Sequence, residues 1–208
     1  MSAAPDSNAA PGATAAPGST AAPGNGWRFL PLAALVVALD QWSKGLIERH
    51  FSLFESQLVL PVLNIVRAHN TGAAFSFLAD AGGWQRWVFS VLAIAVSAGI
   101  VWWLHGINAR AQAALAAGLA LILGGAVGNV IDRIEHGYVV DFVQVHWAQA
   151  YFPAFNVADS AITVGAALLI LDALLDWNRE RRRRALARGN VARTADTGVD
   201  TDVESKPK

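Results

Sequence analysis

The sequence contains no cysteine, which excludes disulfide frameworks, thiolate zinc sites, iron–sulfur clusters and a cysteine nucleophile. It is also poor in charge, because Asp, Glu, Lys and Arg make up 15% of its 208 residues, against roughly 25% in an average soluble protein. The 16 basic and 16 acidic residues cancel, and a protein without excess positive charge is poorly suited to bind nucleic-acid phosphates. Hydrophobic residues reach 54%, with eight tryptophans. This composition predicts a small integral membrane protein.

The first 26 residues have a composition that cannot form a packed core. A six-residue unit occurs three times from Ala9 to about Gly26, as AAPGAT, AAPGST and AAPGNG. Ala, Pro, Gly and small polar residues bury too little apolar surface to offset the entropy lost on ordering. We therefore predict a disordered tail over residues 1–26. It is not expected to be a cleavable signal peptide, because it has neither a basic start nor an apolar centre.

Four apolar stretches follow this tail. Each approaches the roughly 20 residues that a helix needs to cross about 30 Å of hydrocarbon, and each is apolar all round rather than along one stripe. The predicted fold is a mainly α integral membrane protein with a four-transmembrane-helix bundle over residues 27–182. A basic, then polar and disordered tail is expected over residues 183–208. The predicted spans lie at about 27–47, 87–107, 111–131 and 155–177.

The orientation of the bundle follows from its arginines. Arg179, Arg181–Arg184 and Arg188 crowd the exit of the fourth stretch, and positive residues beside a span favour the cytoplasmic side. Both termini should therefore be cytoplasmic, and we interpret the run as a topology anchor rather than a nucleic-acid patch. Two loops, at about 48–85 and 132–154, should lie outside. Their β-branched runs LVLPVLNIV and VVDFVQVHW predict a small sheet on the membrane surface.

The fourth stretch opens with a polar stripe in the sequence FNVADSAITVG. Asn156, Asp159, Ser160 and Thr163 fall on one helical face. Polar groups inside a span are expensive and often functional, so this face should point into the bundle. The same spacing is typical of a helix N-cap, with Asn156 as the cap and Asp159 complementing the helix dipole. Taken alone, the pattern favours the cap.

The end of the third stretch combines small and charged residues. Gly124 and Gly128 are four apart, as close packing of membrane helices requires. Asn129 and Asp132 share a helical face, and Arg133 lies four residues after Asn129. We expect Asp132 and Arg133 to belong to a structural polar network.

The first stretch carries Asp40 and Lys44 at the i, i+4 spacing of an intrahelical ion pair. Such a pair either neutralises itself at the membrane interface or helps to shape a site. The spacing leaves both alternatives open.

Two further acids are expected at the outer boundary of the membrane. Asp141 follows the third span, and Asp159 lies one turn into the fourth. Two carboxyl groups held close together in a dry setting tend to share a proton. One can then deprotonate water while the other protonates a carbonyl oxygen, which is aspartic peptide hydrolysis without a metal or a covalent intermediate. The spacing does not show that the two approach one another, and two unrelated acids remain the alternative.

Other nucleophiles and metal ligands find less support. Ser43 and Lys44 are neighbours and face different directions on a helix, and Ser160 lacks a placed base. Three residues that could be imagined as metal ligands do not have the helical two-histidine spacing: His136, Asp141 and His146.

Two other classes of function are compatible with the composition. A small transporter or channel could use membrane acids such as Asp159 and Asp172 as a proton relay, although the acids leave the membrane midplane without a carboxyl group. A purely structural membrane scaffold would use Asp159 as a cap and Asp132 with Arg133 as a polar contact.

Four sequence blocks, in order, resemble those of bacterial lipoprotein signal peptidase (signal peptidase II): ALDQWSK (38–44), NTGAAFS (70–76), GNVIDRIEHGYVVDF (128–142) and FNVADSAITVG (155–165). The resemblance covers about residues 29–182. It implies an aspartyl endopeptidase of the bacterial inner membrane, with four spans, a periplasmic β-cradle and no metal or other cofactor. The catalytic pair would be Asp141 and Asp159. Eight further residues would bind substrate or support the site: Asp40, Lys44, Asn70, Gly72, Asn129, Asp132, Arg133 and Asn156.

The resemblance also implies the partners. The substrate would be a prolipoprotein whose lipobox cysteine already carries diacylglycerol, cleaved just before that cysteine, with membrane lipid as the surroundings. Globomycin-type peptide antibiotics would occupy the same site, and no nucleic acid is expected. A diacylated cysteine anchored in the outer leaflet places its peptide bond near the headgroup plane, so acids at that depth meet the bond directly.

Overall fold

The structure, a computed structural model, describes residues 24–72 and 84–197, with side chains up to Ala187. Most of the predicted N-terminal tail, the last part of block 70–76 and the end of the C-terminal tail lie outside these residues. The helices are α1 (Leu30–His50, preceded by a 3-10 turn over Gly26–Phe29), α2 (Trp84–Gly106), α3 (Ala113–Glu135) and α4 (Val157–Thr197). The strands are β1 (Ser56–Leu60), β2 (Leu63–Asn70), β3 (Val139–Trp147) and β4 (Ala150–Tyr151).

Four helices in the described part of the chain are long and apolar enough to cross a membrane: Gly26–His50, Trp84–Gly106, Ala113–Glu135 and Val157–Ala187. They confirm the four predicted spans, with boundaries that differ by a few residues except at the end of α4. The prediction of a mainly helical membrane protein with a small sheet is likewise confirmed.

Helix α3 forms the centre of the bundle. About 61% of its most apolar 18-residue stretch is buried, against 17 to 22% of the corresponding stretches in the other three helices. Helix α3 packs against all three of them. Small residues allow this close approach. A side-chain carbon at Gly124 would lie 2.6 Å from the carbonyl oxygen of Ala33 on α1, and one at Gly125 would overlap the carbonyl oxygen of Ala158 on α4. The glycines thus determine how closely α1 and α4 approach α3.

Substitution of these glycines by alanine should depend on what the new methyl group meets. Gly125→Ala is expected to lower the free energy of unfolding by about 1 to 3 kcal/mol, because the obstructing atom is main chain and cannot rotate away. Gly99→Ala on α2 is the matched control, since nothing lies within 4 Å of the new carbon. Denaturation of both variants in the same detergent measures the difference, and equal stability of the two would contradict the packing argument.

The four strands form one antiparallel sheet in the order β1-β2-β3-β4. Strand β2 pairs with β3 in a register that places Ala68 opposite Asp141 and Asn70 opposite Val139. The first residues of β3, from Val139 to Phe142, are buried, and exposure increases toward Trp147. The buried end of β3 follows directly after α3, so the sheet brings Asp141 and Asn70 to the end of the bundle where α4 begins.

The predicted end of the ordered fourth helix is wrong. Residues 183–208 are predicted as a basic, then polar and disordered tail, with disorder after about Arg188, whereas α4 continues as a helix through the basic residues and on to Thr197. Arginine and alanine, which dominate this stretch, are good helix formers. Two ion pairs one turn apart add support, between Arg179 and Asp176 and between Arg184 and Glu180, each with 2.9 Å between nitrogen and oxygen.

Candidate active site

A buried ion cluster joins α1 to α3. The Lys44 ammonium lies 2.7 Å from a carboxyl oxygen of Asp40 and 2.9 Å from one of Asp132, and none of the three side chains is more than 3% exposed. The predicted Asp40–Lys44 pair is confirmed. Its burial, together with Asp132, favours a site-shaping role over self-neutralisation at the interface.

Main-chain donors complete the cluster and connect it to the other elements. The second carboxyl oxygen of Asp40 accepts the N–H of Ala158 in the first turn of α4, at 2.9 Å. Asp132 accepts the N–H of Val140 on β3, at 3.0 Å. Buried charges are tolerated when each lone pair finds a donor, and these donors come from the two elements that carry Asp141 and Asp159. The cluster therefore fixes where β3 and α4 start.

Gln41 belongs to this network and was missed from the sequence. Its side-chain amide donates to Asp132 at 2.7 Å, to the Gly128 carbonyl at 3.2 Å and to Asp40 at 3.3 Å. The available signal was an uncharged amide inside an apolar span, which lipid cannot satisfy.

Two asparagines extend the network from Lys44 to the two candidate catalytic acids. Lys44 donates to the side-chain oxygen of Asn129 at 3.1 Å, and the Asn129 amide donates to Asp159 at 2.8 Å. The Asn156 amide donates to Asn129 at 3.1 Å and to Asp141 at 2.7 Å. The structure thus brings together residues from α1, α3, β3 and α4 through one continuous set of hydrogen bonds.

Asn156 also caps α4. Its side-chain oxygen accepts the N–H of Asp159 at 2.9 Å, and a carboxyl oxygen of Asp159 accepts the N–H of Asn156 at 3.3 Å. This reciprocal pattern is that of a capping box, so the predicted cap is confirmed. Because the same side chain donates to Asp141, the cap and the polar site are one arrangement rather than alternatives.

Asp141 is held by two amides in a nearly dry position. It is 2% exposed and accepts hydrogen bonds from Asn70 at 3.0 Å and Asn156 at 2.7 Å. Burial raises the pKa of Asp141 to about 7, and the charge of Asp159 acts in the same direction. The two amide hydrogen bonds and the Lys44 charge favour the ionised form and oppose this rise.

Gly72 and Arg133 lie on the α2 side of the site. Gly72 has φ of 91° and donates its N–H to the side-chain oxygen of Asn70 at 2.9 Å. A side-chain carbon there would lie 2.8 Å from the Phe89 ring, so both conformation and space call for glycine. Arg133 donates to the Asn129 carbonyl at 3.2 Å, and its guanidinium carbon lies 5.7 Å from the centre of the Phe89 ring. Arg133 therefore contacts Asn129 and Phe89, whereas its neighbour Asp132 contacts Lys44 and Gln41.

Asp159 borders a groove at the start of α4. The Asp159 side chain is only partly buried, and the groove measures about 530 Å³. Most of the lining is apolar, with contributions from the turn before α4 and from its first two turns. The lining residues are Phe152, Pro153, Ala154, Phe155, Asp159, Ser160, Thr163 and Val164.

The competing site residues are not brought together. The Ser43 and Ser160 hydroxyls each donate to a main-chain carbonyl about one turn earlier, at 2.9 Å. Within residues 24–72 and 84–187, no group of three or more His, Asp or Glu side chains could hold a metal ion. That covers the imagined metal set of His136, Asp141 and His146.

Comparison with known proteins gives a consistent result. A family model described as signal peptidase (SPase) II matches residues 32–175. The lipoprotein signal peptidase of Alteromonas mediterranea is 51% identical over 155 residues, covering 74% of this chain and 85% of that protein. The lipoprotein signal peptidase of Pseudomonas aeruginosa strain PAO1 is 53% identical over 146 residues, covering 69% and 86%. A bacterial membrane enzyme solved by the in meso method at 1.9 Å resolution superimposes with a TM-score of 0.63 at 32% identity, covering 71% of this chain and 92% of that one.

Proposed function

This chain belongs to the signal peptidase II family, and from that membership and the site geometry we propose that it removes signal peptides from prolipoproteins as an aspartic endopeptidase. The catalytic pair is Asp141 and Asp159. The observation that carries the proposal is that one residue, Asn156, donates a hydrogen bond to each of these carboxyl groups, at 2.7 Å and 3.3 Å. Family membership also sets aside the transporter and scaffold interpretations.

The surroundings of the two acids assign their starting roles. We assign the starting proton to Asp141, because burial raises its pKa to about 7 and the group is therefore protonated at acidic pH and in part near neutral pH. Asp159 serves as the carboxylate base, because it receives two N–H donors at the positive end of α4 and borders the groove. Environments that differ in this way separate acid from base within a carboxyl pair.

The reaction then balances through one water molecule. Asp159 takes a proton from the water as its oxygen attacks the scissile carbonyl carbon, and Asp141 gives its proton to the carbonyl oxygen. When the tetrahedral intermediate collapses, the C–N bond breaks, the leaving nitrogen receives the proton held by Asp159, and Asp141 recovers its proton from the hydroxyl. The products are a free carboxyl group and a free amine.

The remaining polar residues position this pair. Lys44 and Asn129 form a chain of hydrogen bonds that ends on Asp159, while Asn70 orients Asp141 and is itself fixed by Gly72. Arg133 interacts electrostatically with both acids, and its positive charge would stabilise the negative charge of the pair as the protons move. Preorganised groups of this kind cost no reorganisation during the reaction.

The site lies at the membrane end that would meet a lipidated substrate. Asp159 is in the first turn of α4, on the side of the sheet, and the arginines of α4 lie at the opposite end of the span. Positive residues favour the cytoplasm, which supports a topology with both termini inside and the site at the periplasmic face of the inner membrane. The apolar groove beside Asp159 then opens where a diacylglyceryl-cysteine is anchored, and cleavage falls just before that cysteine.

The pH dependence of cleavage tests these roles. Above pH of about 7, kcat/KM is expected to fall about tenfold per pH unit, because Asp141 loses the proton that it must donate. Asn70→Ala removes a hydrogen bond that favours ionised Asp141, so the pKa rises further and the alkaline limb moves to higher pH. The assay follows cleavage of a purified diacylglyceryl-prolipoprotein and identifies the product by mass.

An asparagine at the other end of the bundle provides the control. The Asn108 side chain accepts a hydrogen bond from Arg110 in the exposed turn between α2 and α3, so Asn108→Ala should leave the pH profile unchanged. A limb that stays in place in Asn70→Ala, or moves to lower pH, would contradict the assignment of the proton to Asp141.

A further inference from the structure

Beyond its apolar part, α4 carries a dense arginine segment that the peptidase site does not use. The family match ends at residue 175, whereas the arginines begin at Arg179 and the helix continues to Thr197. We call Arg179 and Arg181–Arg184 the arginine collar. Asp176 precedes the collar and Glu180 lies within it. Residues 176–184 therefore carry five positive and two negative charges, a net charge of +3.

Helix length places the collar at the level of lipid headgroups. At about 1.5 Å per residue, the 41 residues of α4 extend about 60 Å, roughly twice the thickness of the hydrocarbon. The first 20 or so residues therefore reach from Val157 to about Trp177. Trp177 is 58% exposed, and tryptophan is enriched where hydrocarbon meets headgroups. Arg181 stacks on its ring, with 4.9 Å between the guanidinium carbon and the ring centre.

The collar has unused capacity for anions. Arg179 and Arg184 pair with acids on the same helix, and Arg181 stacks on Trp177. Arg182 and Arg183 have no hydrogen bond or ion pair within the described residues. Four successive arginines, each rotated about 100° from the last, present positive charge all around the helix.

Apolar side chains lie next to the charged ones. A depression of about 600 Å³ is lined by Leu175, Asn178, Arg179, Arg181, Arg182 and Ala185, so guanidinium and amide donors adjoin aliphatic carbon. One turn deeper, within the part of α4 that crosses the hydrocarbon, Leu171 and Leu174 are about half exposed. This arrangement matches a molecule with an anionic head and hydrocarbon tails better than a free anion, which would gain nothing from the leucines.

We propose that the arginine collar is a binding site for the phosphate headgroups of anionic phospholipids. Guanidinium groups bind phosphate oxygens in pairs and are weakly hydrated, which suits them to this contact. Basic residues close to a span attract anionic lipids within a Debye length of the surface. The overall neutrality of the chain disfavours nucleic acid as the partner, because long-range attraction of a polyanion needs excess positive charge.

Native mass spectrometry of the full-length protein tests this site. The protein is embedded in nanodiscs that contain equal amounts of phosphatidylglycerol and phosphatidylcholine. It is then released from them in the spectrometer, and the ratio of the two lipids that stay bound to it is measured. The wild type is expected to retain phosphatidylglycerol preferentially. In Arg182→Gln/Arg183→Gln the preference should fall at least about fivefold, since each basic residue near the surface contributes attraction of about that factor.

The matched control is Arg28→Gln/Arg110→Gln. Both residues are exposed at the same end of the bundle, so this variant loses the same charge outside the collar and should lose clearly less of the preference for phosphatidylglycerol than the collar variant does. Signal-peptide cleavage by both double variants in detergent shows that they are folded, and it tests the peptidase separately from the lipid site.

Three outcomes would overturn the proposal. An equal loss of preference in the control would show a general charge effect, and an unchanged ratio in the collar variant would show that the collar binds no lipid. Collar-dependent binding of a single-stranded oligonucleotide or of inorganic phosphate, without a preference for phosphatidylglycerol, would identify a different partner.

Discussion

Asp141→Asn and Asp159→Asn are each expected to lower kcat for cleavage of a diacylglyceryl-prolipoprotein by about 10² to 10⁴-fold. In the proposed mechanism Asp141 donates a proton and Asp159 takes one from water; an amide can do neither, and general acid–base catalysis contributes about this factor. Because the two acids act together in the same step of the proposed mechanism, the double variant should be about as slow as either single variant. Single-turnover cleavage of purified enzyme measures all three.

The same substitutions have a modest structural consequence that must be separated from catalysis. Each acid accepts N–H groups at both carboxyl oxygens, and an asparagine offers one oxygen in place of two. One hydrogen bond is therefore lost in each variant, worth about 1 kcal/mol. Thermal unfolding in detergent quantifies this loss. Asp172→Asn, farther along α4, is the control for removal of a membrane acid, and its activity should stay within about twofold, in line with the small effects of changes away from a site. Wild-type turnover by either catalytic-pair variant would refute the mechanism.

Lys44→Met is expected to lower the free energy of unfolding by about 3 to 5 kcal/mol. Within the described residues, Lys44 is the one cation that pairs with these two carboxyl groups, which are 0% and 2% exposed, and a buried charge left without its partner is strongly destabilising. Adding Asp40→Asn to Lys44→Met should recover part of the loss, because one of the uncompensated charges is removed. Reversible denaturation in mixed micelles gives the three values.

An exposed ion pair on the same protein provides the comparison. Arg184 and Glu180 are 74% and 50% exposed, and pairs in water contribute about 0 to 1 kcal/mol. Arg184→Met should therefore leave the unfolding free energy nearly unchanged. Equal effects of Lys44→Met and Arg184→Met would mean that the buried cluster does not hold the helices together.

Local patterns in the sequence were sufficient for features that depend on one element. The i, i+4 spacing of Asp40 and Lys44 predicted their ion pair, and the Asn156–Asp159 spacing predicted the cap. Both are confirmed, because the geometry of a helix relates residues three and four apart. The four spans follow in the same way from length and hydropathy.

Contacts between elements could not be obtained from these patterns. Asp132 forms an ion pair with Lys44 and accepts a hydrogen bond from Gln41 because glycines let α1 and α3 approach closely. Helical periodicity within one helix does not predict how closely two helices approach. Gln41 follows Asp40 directly and lies about 100° from it around the helix. The i, i+4 spacing that relates Asp40 to Lys44 therefore does not include Gln41. The charge of the arginine run predicts the cytoplasmic end of the fourth span, but charge does not show where the helix ends, and the helix propensity of arginine and alanine continues α4 to Thr197.

Asn156 makes folding and chemistry inseparable at one position. Its single side chain starts α4, touches the strand that carries one acid and sets the first turn that carries the other. Fraying of that turn would separate the proposed catalytic pair while the rest of the bundle stayed intact. A replacement of Asn156 that loosened the helix start would therefore also disturb the proposed catalytic pair, and one that removed the amide donor would take one of the two hydrogen bonds from Asp141.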